Sequence, residues 1–157
     1  MHKIEILGSL AMMCKWIFTL VFLITNLFLS CFSDREEDFW DYKSEIGSGS
    51  PIRDLSGVSI GITVNSAGEN AIVDSLKIRV NIEHEKPSNL IIKLYRNDDS
   101  IVAWGNNYLG GSQEYSTNYF NGKNANGNWG IMVYDSVADG NEGYLNGFTL
   151  MIKYKTK

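Results

Sequence analysis

Two long segments of the chain alternate between apolar and polar residues. The first covers residues 57–64 and the second residues 72–84, and a turn-forming stretch rich in Asn, Ser and Gly separates them. Alternate side chains of a β-strand point to opposite faces, so a period of two predicts strands with one buried face. We expect the following side chains to face the core: Val58, Ile60, Ile62, Val64, Leu76, Ile78, Val80 and Ile82.

Shorter segments of the same kind continue along the chain. They lie at residues 89–95, 101–104, 114–120, 129–135 and 143–152, with turn-forming residues between them. No helix-favouring run occurs after residue 50, where Gly, Asn, Ser and β-branched residues dominate. The pattern therefore predicts an all-β domain, an antiparallel, jelly-roll-like β-sandwich of about seven or eight short strands.

Residues 1–30 differ from the rest and are typical of a secretory signal peptide. A weakly basic start is followed by a nearly continuous apolar run at 16–29, which ends at Ser30-Cys31. This run of about 14 apolar residues is shorter than the roughly 20 that span a bilayer, which disfavours an uncleaved membrane helix. Residues 29–31 resemble a bacterial lipobox, although Phe28 stands where leucine is usual. We therefore expect a lipid on Cys31 that anchors the chain in the bacterial cell envelope, at the outer membrane.

Residues 31–54 are interpreted as a tether between this anchor and a domain at 55–157. An acidic run at 33–38 cannot pack into a core, and the Gly-Ser stretch at 47–50 is typical of a flexible linker. The acidic run resembles the surface-export signal of Bacteroidetes lipoproteins, which implies surface exposure; a plain charged spacer has the same composition. The aromatic residues Phe39, Trp40 and Tyr42 interrupt the tether, and they either dock on the domain or contact the membrane interface.

Charge and cysteine content exclude several functions. The formal net charge is −4 and no cluster of basic residues occurs, so nucleic acid, which requires a clustered basic surface, is not an expected partner. Both cysteines, Cys14 and Cys31, lie in the N-terminal apolar region, so the domain at 55–157 holds no disulfide and no thiolate metal site.

The end of the chain carries a motif of glycines, a tryptophan and an aspartate. Its positions are Asn126, Gly127, Trp129, Val133, Asp135, Gly140, Gly143, Leu145 and Leu150, and earlier matches are Gly57-Val58, Ile82-Glu83-His84 and Asn89-Leu90. The arrangement covers residues 55–154 and resembles the P domain (P/Homo B domain) of subtilisin-like proprotein convertases. The resemblance implies a galactose-binding-like jelly roll that packs, as a non-catalytic module, on a separate protease domain. We therefore expect an accessory or interaction role in proteolysis, with a separate subtilisin-like protease or another envelope protein as the partner.

Three positions depart from the P-domain pattern. Asn89 stands where aspartate is usual, Asn141 where the family has Gly-Asp, and Phe148 where tryptophan is usual. The first two changes remove negative charge from positions at which a cation would bind.

The residues themselves predict no catalytic activity. A Ser-His-Asp triad needs a histidine aimed at a nucleophile, and His84 is the single imidazole after the signal peptide. His84 shares the inward parity of the preceding apolar residues, which indicates a structural histidine at the end of a strand. No Gly-x-Ser-x-Gly nucleophile elbow occurs. The chain is therefore expected not to be an enzyme and to contain no catalytic residue.

An oxygen-rich loop near the C-terminal end is the candidate metal site. Its side chains are Asp135, Asp139, Asn141 and Glu142, and calcium requires six to eight oxygen ligands. The alternative is structural, because Asp135 ends an inward strand face where its carboxylate can accept backbone N–H bonds. The sequence thus predicts either no cofactor or calcium at this loop.

Four aromatic residues are the candidate ligand-binding side chains. They are Trp104, Tyr108, Tyr115 and Tyr119, which stand among amide and hydroxyl residues. Flat rings beside amides suit stacking on sugars, and the same rings also serve as plugs in the cores of β-sandwiches. A carbohydrate-binding module at the cell surface, with a glycan as partner, is therefore the second function that we carry forward.

Overall fold

The computed structural model describes residues 40–156 of the chain, and these residues form eight strands and one short 3-10 turn. The strands are β1 (Tyr42–Ile52), β2 (Gly57–Val64), β3 (Ala71–His84), β4 (Leu90–Arg96), β5 (Asp99–Gly105), β6 (Gly111–Thr117), β7 (Gly127–Asp135) and β8 (Gly143–Thr156). The 3-10 turn covers Pro87–Asn89 and connects β3 to β4. Over the same residues, no helix has the length and apolar character needed to cross a membrane.

The strands form two antiparallel sheets of four strands each. Sheet A has the order β1-β8-β3-β6, and sheet B has the order β2-β7-β4-β5. The first strand pairs with the eighth, the second with the seventh, the third with the sixth and the fourth with the fifth. This nested pairing defines a jelly roll, so the predicted architecture and the predicted number of strands are confirmed.

The core consists of the inward faces of both sheets. Strands β3 and β8 contribute alternate side chains from sheet A, and β4 and β7 contribute theirs from sheet B, as the period of two predicted. The members that are almost fully inaccessible to solvent include Ile78, Val80, Ile82, Leu94, Trp129, Ile131, Val133, Phe148, Leu150 and Ile152. Burying an aliphatic or aromatic side chain of this size contributes roughly 1.5–3 kcal/mol, so these faces are the main source of stability.

Strand β1 corrects the prediction for the tether. Residues 42–52 pair with β8 from Tyr42↔Ile152 onward, with a bulge that places Gly49 at φ 65. The side chain of Asp41 extends this pairing, because its Oδ2 accepts a hydrogen bond of 2.7 Å from the Tyr154 N–H. The Gly-Ser stretch therefore forms a strand with a bulge, since the edge of β8 supplies backbone partners that composition does not reveal.

The sandwich thus begins at Tyr42 and not at residue 55. The signal peptide at 1–30, Cys31, the acidic run at 33–38 and Phe39 lie outside the described residues, so those predictions stay predictions.

Strand β6 is shifted by three residues from its predicted position. It covers Gly111–Thr117, where residues 114–120 were expected. Beyond Thr117 the chain turns, with the Asn121 N–H donating to the Asn118 carbonyl at 3.0 Å, and Phe120 enters the core. The apolar Phe120 therefore belongs to a loop that covers the end of the core and not to the strand.

Candidate functional site

A histidine and an aspartate meet in the interior, one from each sheet. His84 ends β3 of sheet A and Asp135 ends β7 of sheet B, and both side chains are completely inaccessible to solvent. The Nε2 atom of His84 lies 3.2 Å from Oδ2 of Asp135. The other carboxylate oxygen, Oδ1, accepts a hydrogen bond of 3.0 Å from the N–H of Val137. Asp135 therefore holds the histidine and organises the following loop.

Each ring nitrogen of His84 faces another group of the domain. Nδ1 accepts a hydrogen bond of 3.1 Å from the backbone N–H of Lys86, so the proton of the neutral ring resides on Nε2, which faces Asp135. The contact between Nε2 and Oδ2 is close but is not aligned as a hydrogen bond. A general base needs an unused nitrogen within reach of a substrate proton. The ring of His84 offers none, which agrees with the structural role that its parity indicated.

The contact between the two side chains was not predicted, although each was assigned a structural role. The sequence does contain a pattern that could have predicted this contact. His84 is a polar residue at the end of the apolar inward face of β3, and Asp135 has the same position on β7. Polar residues at such positions require a buried partner, and two of them in a two-sheet sandwich are natural partners for each other.

Gly143 allows β8 to pass against the histidine. It pairs with His84, and a Cβ atom at this position would lie 2.6 Å from Cδ2 of the ring and would also collide with the Glu83 carbonyl oxygen. A side chain would force β8 away from β3 at the point where the buried pair is formed. The glycine of the motif is therefore required by close approach.

Asp139 anchors the loop between β7 and β8. Its Oδ2 accepts hydrogen bonds from Asn89 Nδ2 at 2.9 Å and from Lys86 Nζ at 3.2 Å, and its Oδ1 accepts from the Asn141 N–H at 3.3 Å. Hydrogen bonds from Asn141 and then from Asn89 hold the pKa of Asp139 well below its usual range. Asn89 replaces the usual aspartate of the P-domain pattern, and its amide donates to a carboxylate that a second aspartate would repel.

The predicted calcium ligands are engaged in separate contacts. Asp135 contacts His84 and Val137, and Asp139 contacts residues of the β3–β4 connection. Glu142 lines an open groove together with Glu83, His84 and Glu85. Within residues 40–156, no group of three or more His, Cys, Asp or Glu side chains is placed to hold a metal ion. The structure therefore does not assemble Asp135, Asp139, Asn141 and Glu142 around one point.

Two of the four candidate aromatic residues belong to the core. Trp104 is 8% exposed and Tyr108 is 1% exposed, and their rings meet edge to face with centroids 5.4 Å apart. The Tyr108 hydroxyl donates to the Gly111 carbonyl at 2.5 Å, and burial raises the pKa of Tyr108 to about 12. The prediction that Trp104 and Tyr108 form a binding surface was therefore wrong, because both rings are already covered by the fold.

The other two aromatic residues line an open groove at the edge of the sandwich. Tyr115 and Tyr119 are joined there by Trp40, which precedes β1, and by Ile101 of β5. The groove has a volume of about 670 Å³. Docking of Trp40 on the domain is one of the two alternatives that the sequence left open, whereas its place beside these two tyrosines was not predicted. We call this feature the Trp40–Tyr119 groove.

A second surface consists of apolar side chains on the outer face of sheet B. Val102 and Met132 are almost half exposed, and Tyr134 is 37% exposed. Ile91, Lys93, Met132 and Tyr134 enclose a smaller cavity of about 260 Å³. This face lies on the side of sheet B opposite the core, because its members have the opposite strand parity to Ile92, Ile131 and Val133.

The Asn-Gly-x-Trp part of the motif closes one end of the core. Trp129 is buried, and its Nε1–H donates to the Ala125 carbonyl at 2.9 Å. Arg96 lies over the indole at 5.6 Å and donates to the carbonyl oxygens of Asn124 at 2.8 Å and of Asn126 at 2.9 Å. The arginine thus binds the loop and the tryptophan ring together.

The family assignment rests on the segment that contains these contacts. The model of the proprotein convertase P-domain family matches residues 73–152, which is half of the chain. This chain belongs to the proprotein convertase P-domain family. The matched part of the P domain runs from β3 into β8 and includes His84, Asp135 and Gly143.

Solved structures show the same fold at low sequence identity. The serine protease of Aeromonas sobria is similar with a TM-score of 0.60 and 16% identity, over 73% of this chain and 26% of the protease chain. The complex of the Aeromonas sobria serine protease with the chaperone ORF2 gives a TM-score of 0.61 and 15% identity. The match covers 76% of this chain and 27% of the chain in that structure. The structure of FLHE gives a TM-score of 0.57 and 11% identity, over 74% of this chain and 95% of the FLHE chain.

The chain spans about a quarter of the length of the Aeromonas protease that it matches. No curated protein matches its sequence. The structural likeness therefore establishes the jelly-roll fold of this P domain, and the family model establishes its membership.

Proposed function

We propose that this P domain is a non-catalytic accessory or interaction module, held on the bacterial cell envelope by a lipid on Cys31. It acts beside a separate subtilisin-like protease or another envelope protein. The observation that carries the proposal is membership in a family whose domains accompany proteases, together with a fold that recurs in the Aeromonas serine protease.

The state of His84 supports a non-catalytic role. Asp135 and the Lys86 N–H occupy its two ring nitrogens, and its side chain has no access to solvent. A hydrolytic mechanism of the Ser-His-Asp type requires the histidine to exchange a proton with a nucleophile at an accessible site. The buried pair instead brings two polar side chains from opposite sheets together inside the core, which is a structural task.

Association with a protease is tested by affinity capture. The full chain, carrying a C-terminal tag, is incubated with envelope extract of the producing bacterium, and the retained proteins are released by an excess of the untagged chain. We expect specific release of a subtilisin-like protease or of one envelope protein in constant ratio to the bait. The matched control is the tagged chain carrying Gly143→Ala, in which we expect the new Cβ atom to force β8 away from β3. Equal recovery on both baits contradicts the proposal.

The absence of catalysis is tested with the same preparation. The full chain is incubated with a casein substrate and with a serine-directed fluorophosphonate probe. We expect neither hydrolysis nor labelling. Labelling of a serine in the folded chain, lost when the chain is unfolded, overturns the non-catalytic assignment.

The lipid anchor has its own test, which is independent of the partner. Mass spectrometry of the membrane-extracted chain should find Cys31 as a lipid-modified N-terminal residue, and Cys31→Ser should release the chain from the membrane fraction. An unmodified Cys31 still joined to Ser30 refutes the anchor and leaves the accessory role untouched.

A further inference from the structure

The Trp40–Tyr119 groove combines three aromatic rings with uncharged polar side chains. Trp40, Tyr115 and Tyr119 supply the rings, and Ser116 and Asn118 supply a hydroxyl and an amide. Among the described residues that line the groove, none carries a carboxylate or an ammonium group. The volume of about 670 Å³ falls within the roughly 300–1,000 Å³ of small-molecule sites.

Each ring of the groove is held by contacts with the fold. Two ammonium groups, Lys77 Nζ and Lys153 Nζ, lie 5.3 Å and 5.1 Å from the centre of the Trp40 ring. Such cation–π contacts fix the indole on the outer face of sheet A. The Tyr115 ring rests against Trp104 with centroids 5.4 Å apart.

Contacts with the fold also hold the Tyr119 ring in place, although this residue is 47% exposed. Its ring meets Phe120 edge to face at 4.9 Å, and its hydroxyl donates to Asp99 Oδ1 at 2.9 Å. Held rings lose little rotamer freedom when a ligand is bound, and this preorganisation favours affinity.

The lining matches the chemistry of a sugar ring. A pyranose has C–H faces that stack on aromatic side chains and hydroxyl groups at its rim that exchange hydrogen bonds with hydroxyls and amides. An acidic or basic ligand would require an opposite charge in the lining, and the lining is uncharged. The two lysine ammonium groups next to the groove lie about 5 Å from the centre of the Trp40 ring, and that of Lys77 also lies 3.7 Å from Oε2 of Glu114.

We propose that the Trp40–Tyr119 groove binds a short neutral oligosaccharide, which stacks on Trp40 and Tyr119. This site goes beyond the accessory role and relocates the glycan interaction predicted from the sequence, since Trp104 and Tyr108 are buried. A peptide added to the edge of β6 is the competing occupant, and the experiment distinguishes it from a sugar.

The test is titration of the full chain with neutral tetrasaccharides of glucose, xylose and mannose, followed by tryptophan fluorescence and isothermal calorimetry. We expect saturable binding of at least one of them. Trp40→Ala and Tyr119→Ala should each weaken binding about tenfold, the loss expected for one stacking contact. Tyr119→Phe keeps the ring but loses the bond to Asp99, so its affinity should lie between those of the wild type and Tyr119→Ala.

The matched control is Tyr144→Ala, which removes a tyrosine that is 53% exposed and lies outside the groove. It should leave the affinity unchanged, and the melting temperatures of all four variants establish that each is folded. Absence of binding to all three tetrasaccharides overturns the proposal. It is equally overturned by binding that Trp40→Ala and Tyr119→Ala do not weaken, or by displacement of the sugar by an unrelated extended peptide. None of these results bears on capture of a protease.

Discussion

Nε2 of His84 lies 3.2 Å from Oδ2 of Asp135, and this contact joins the two sheets of the sandwich through buried polar atoms. Elsewhere the described core consists mainly of apolar side chains, and Asn89 and Thr149 are further buried polar residues. A buried carboxylate differs from the apolar side chains, because without its partners it is left unsatisfied in a medium of low polarity. The pair therefore fixes the relative position of the ends of β3 and β7.

Removal of the carboxylate should destabilise the domain strongly. Asp135→Ala leaves the Val137 N–H without its acceptor and removes the carboxylate that lies 3.2 Å from Nε2 of His84, so we expect a loss of up to about 3 kcal/mol in the free energy of unfolding. Asp135→Asn keeps an oxygen that can accept the bond from Val137, and its loss should be smaller, about 1 kcal/mol. Urea denaturation of both variants measures the difference. Equal losses for the two variants would show that the carboxylate oxygens are not the stabilising groups.

Calcium should have no effect on the melting temperature. The carboxylate oxygens of Asp135 and Asp139 already accept bonds from Val137, Lys86 and Asn89, and Oδ2 of Asp135 lies against the His84 ring. A cation would have to displace these groups. Thermal melts in millimolar calcium and in excess chelator should therefore coincide. A melting temperature that falls in chelator, together with an Asp135→Asn variant that melts at the lower temperature in either condition, would establish a calcium site at the loop.

Gly143→Ala tests the close approach of β8 to the buried pair. A Cβ atom here collides with the Glu83 carbonyl and lies 2.6 Å from His84 Cδ2, so the strands must separate. We expect a loss of at least about 3 kcal/mol, in the range of severe overpacking. Gly68→Ala is the matched control, because its Cβ would meet no atom within 4 Å, and it should change stability by less than about 1 kcal/mol. Equal stability of the two variants would mean that β8 adjusts freely.

The fold could be predicted from the sequence because a strand pattern is a local signal. The alternation in residues 57–64 and 72–84 needs no knowledge of the partner strand, and β2 and β3 lie where it placed them. Strand β1 could not be found in this way, because its Gly-Ser-Gly-Ser segment has no alternation of apolar and polar residues. Its backbone partners are supplied by β8. The candidate aromatics failed for a related reason. Trp104 and Tyr108 have the composition of a binding surface, and only the packing of the chain shows that they are covered.

Tyr108 should make the domain sensitive to high pH. Its pKa is raised from 10.0 to about 12 because its hydroxyl is buried. The unfolded chain therefore loses this proton first, so the stabilisation is complete below pH 10 and is lost as the pH rises towards 12. The expected loss is roughly 2 kcal/mol over this interval. Tyr108→Phe should be less stable at pH 8, because the bond to Gly111 is absent, and its stability should fall less steeply between pH 10 and 12. If the stabilities of the wild type and of Tyr108→Phe fall equally steeply between pH 10 and 12, the Tyr108 hydroxyl is not the cause of the pH sensitivity.

The position of β8 at the centre of sheet A has a consequence for biosynthesis. Strand β1 pairs with β8, and β3 pairs with both β8 and β6. Until residues 143–156 have been made, β1 therefore has no partner in sheet A and β3 lacks one of its two partners. Pairings between segments this far apart in the chain are slow to form, and unpaired strand edges are prone to join other chains. A nascent chain halted before residue 143 exposes the facing edges of β1 and β3 at once. Sheet A of this domain therefore closes only after residues 143–156 have been added to the chain.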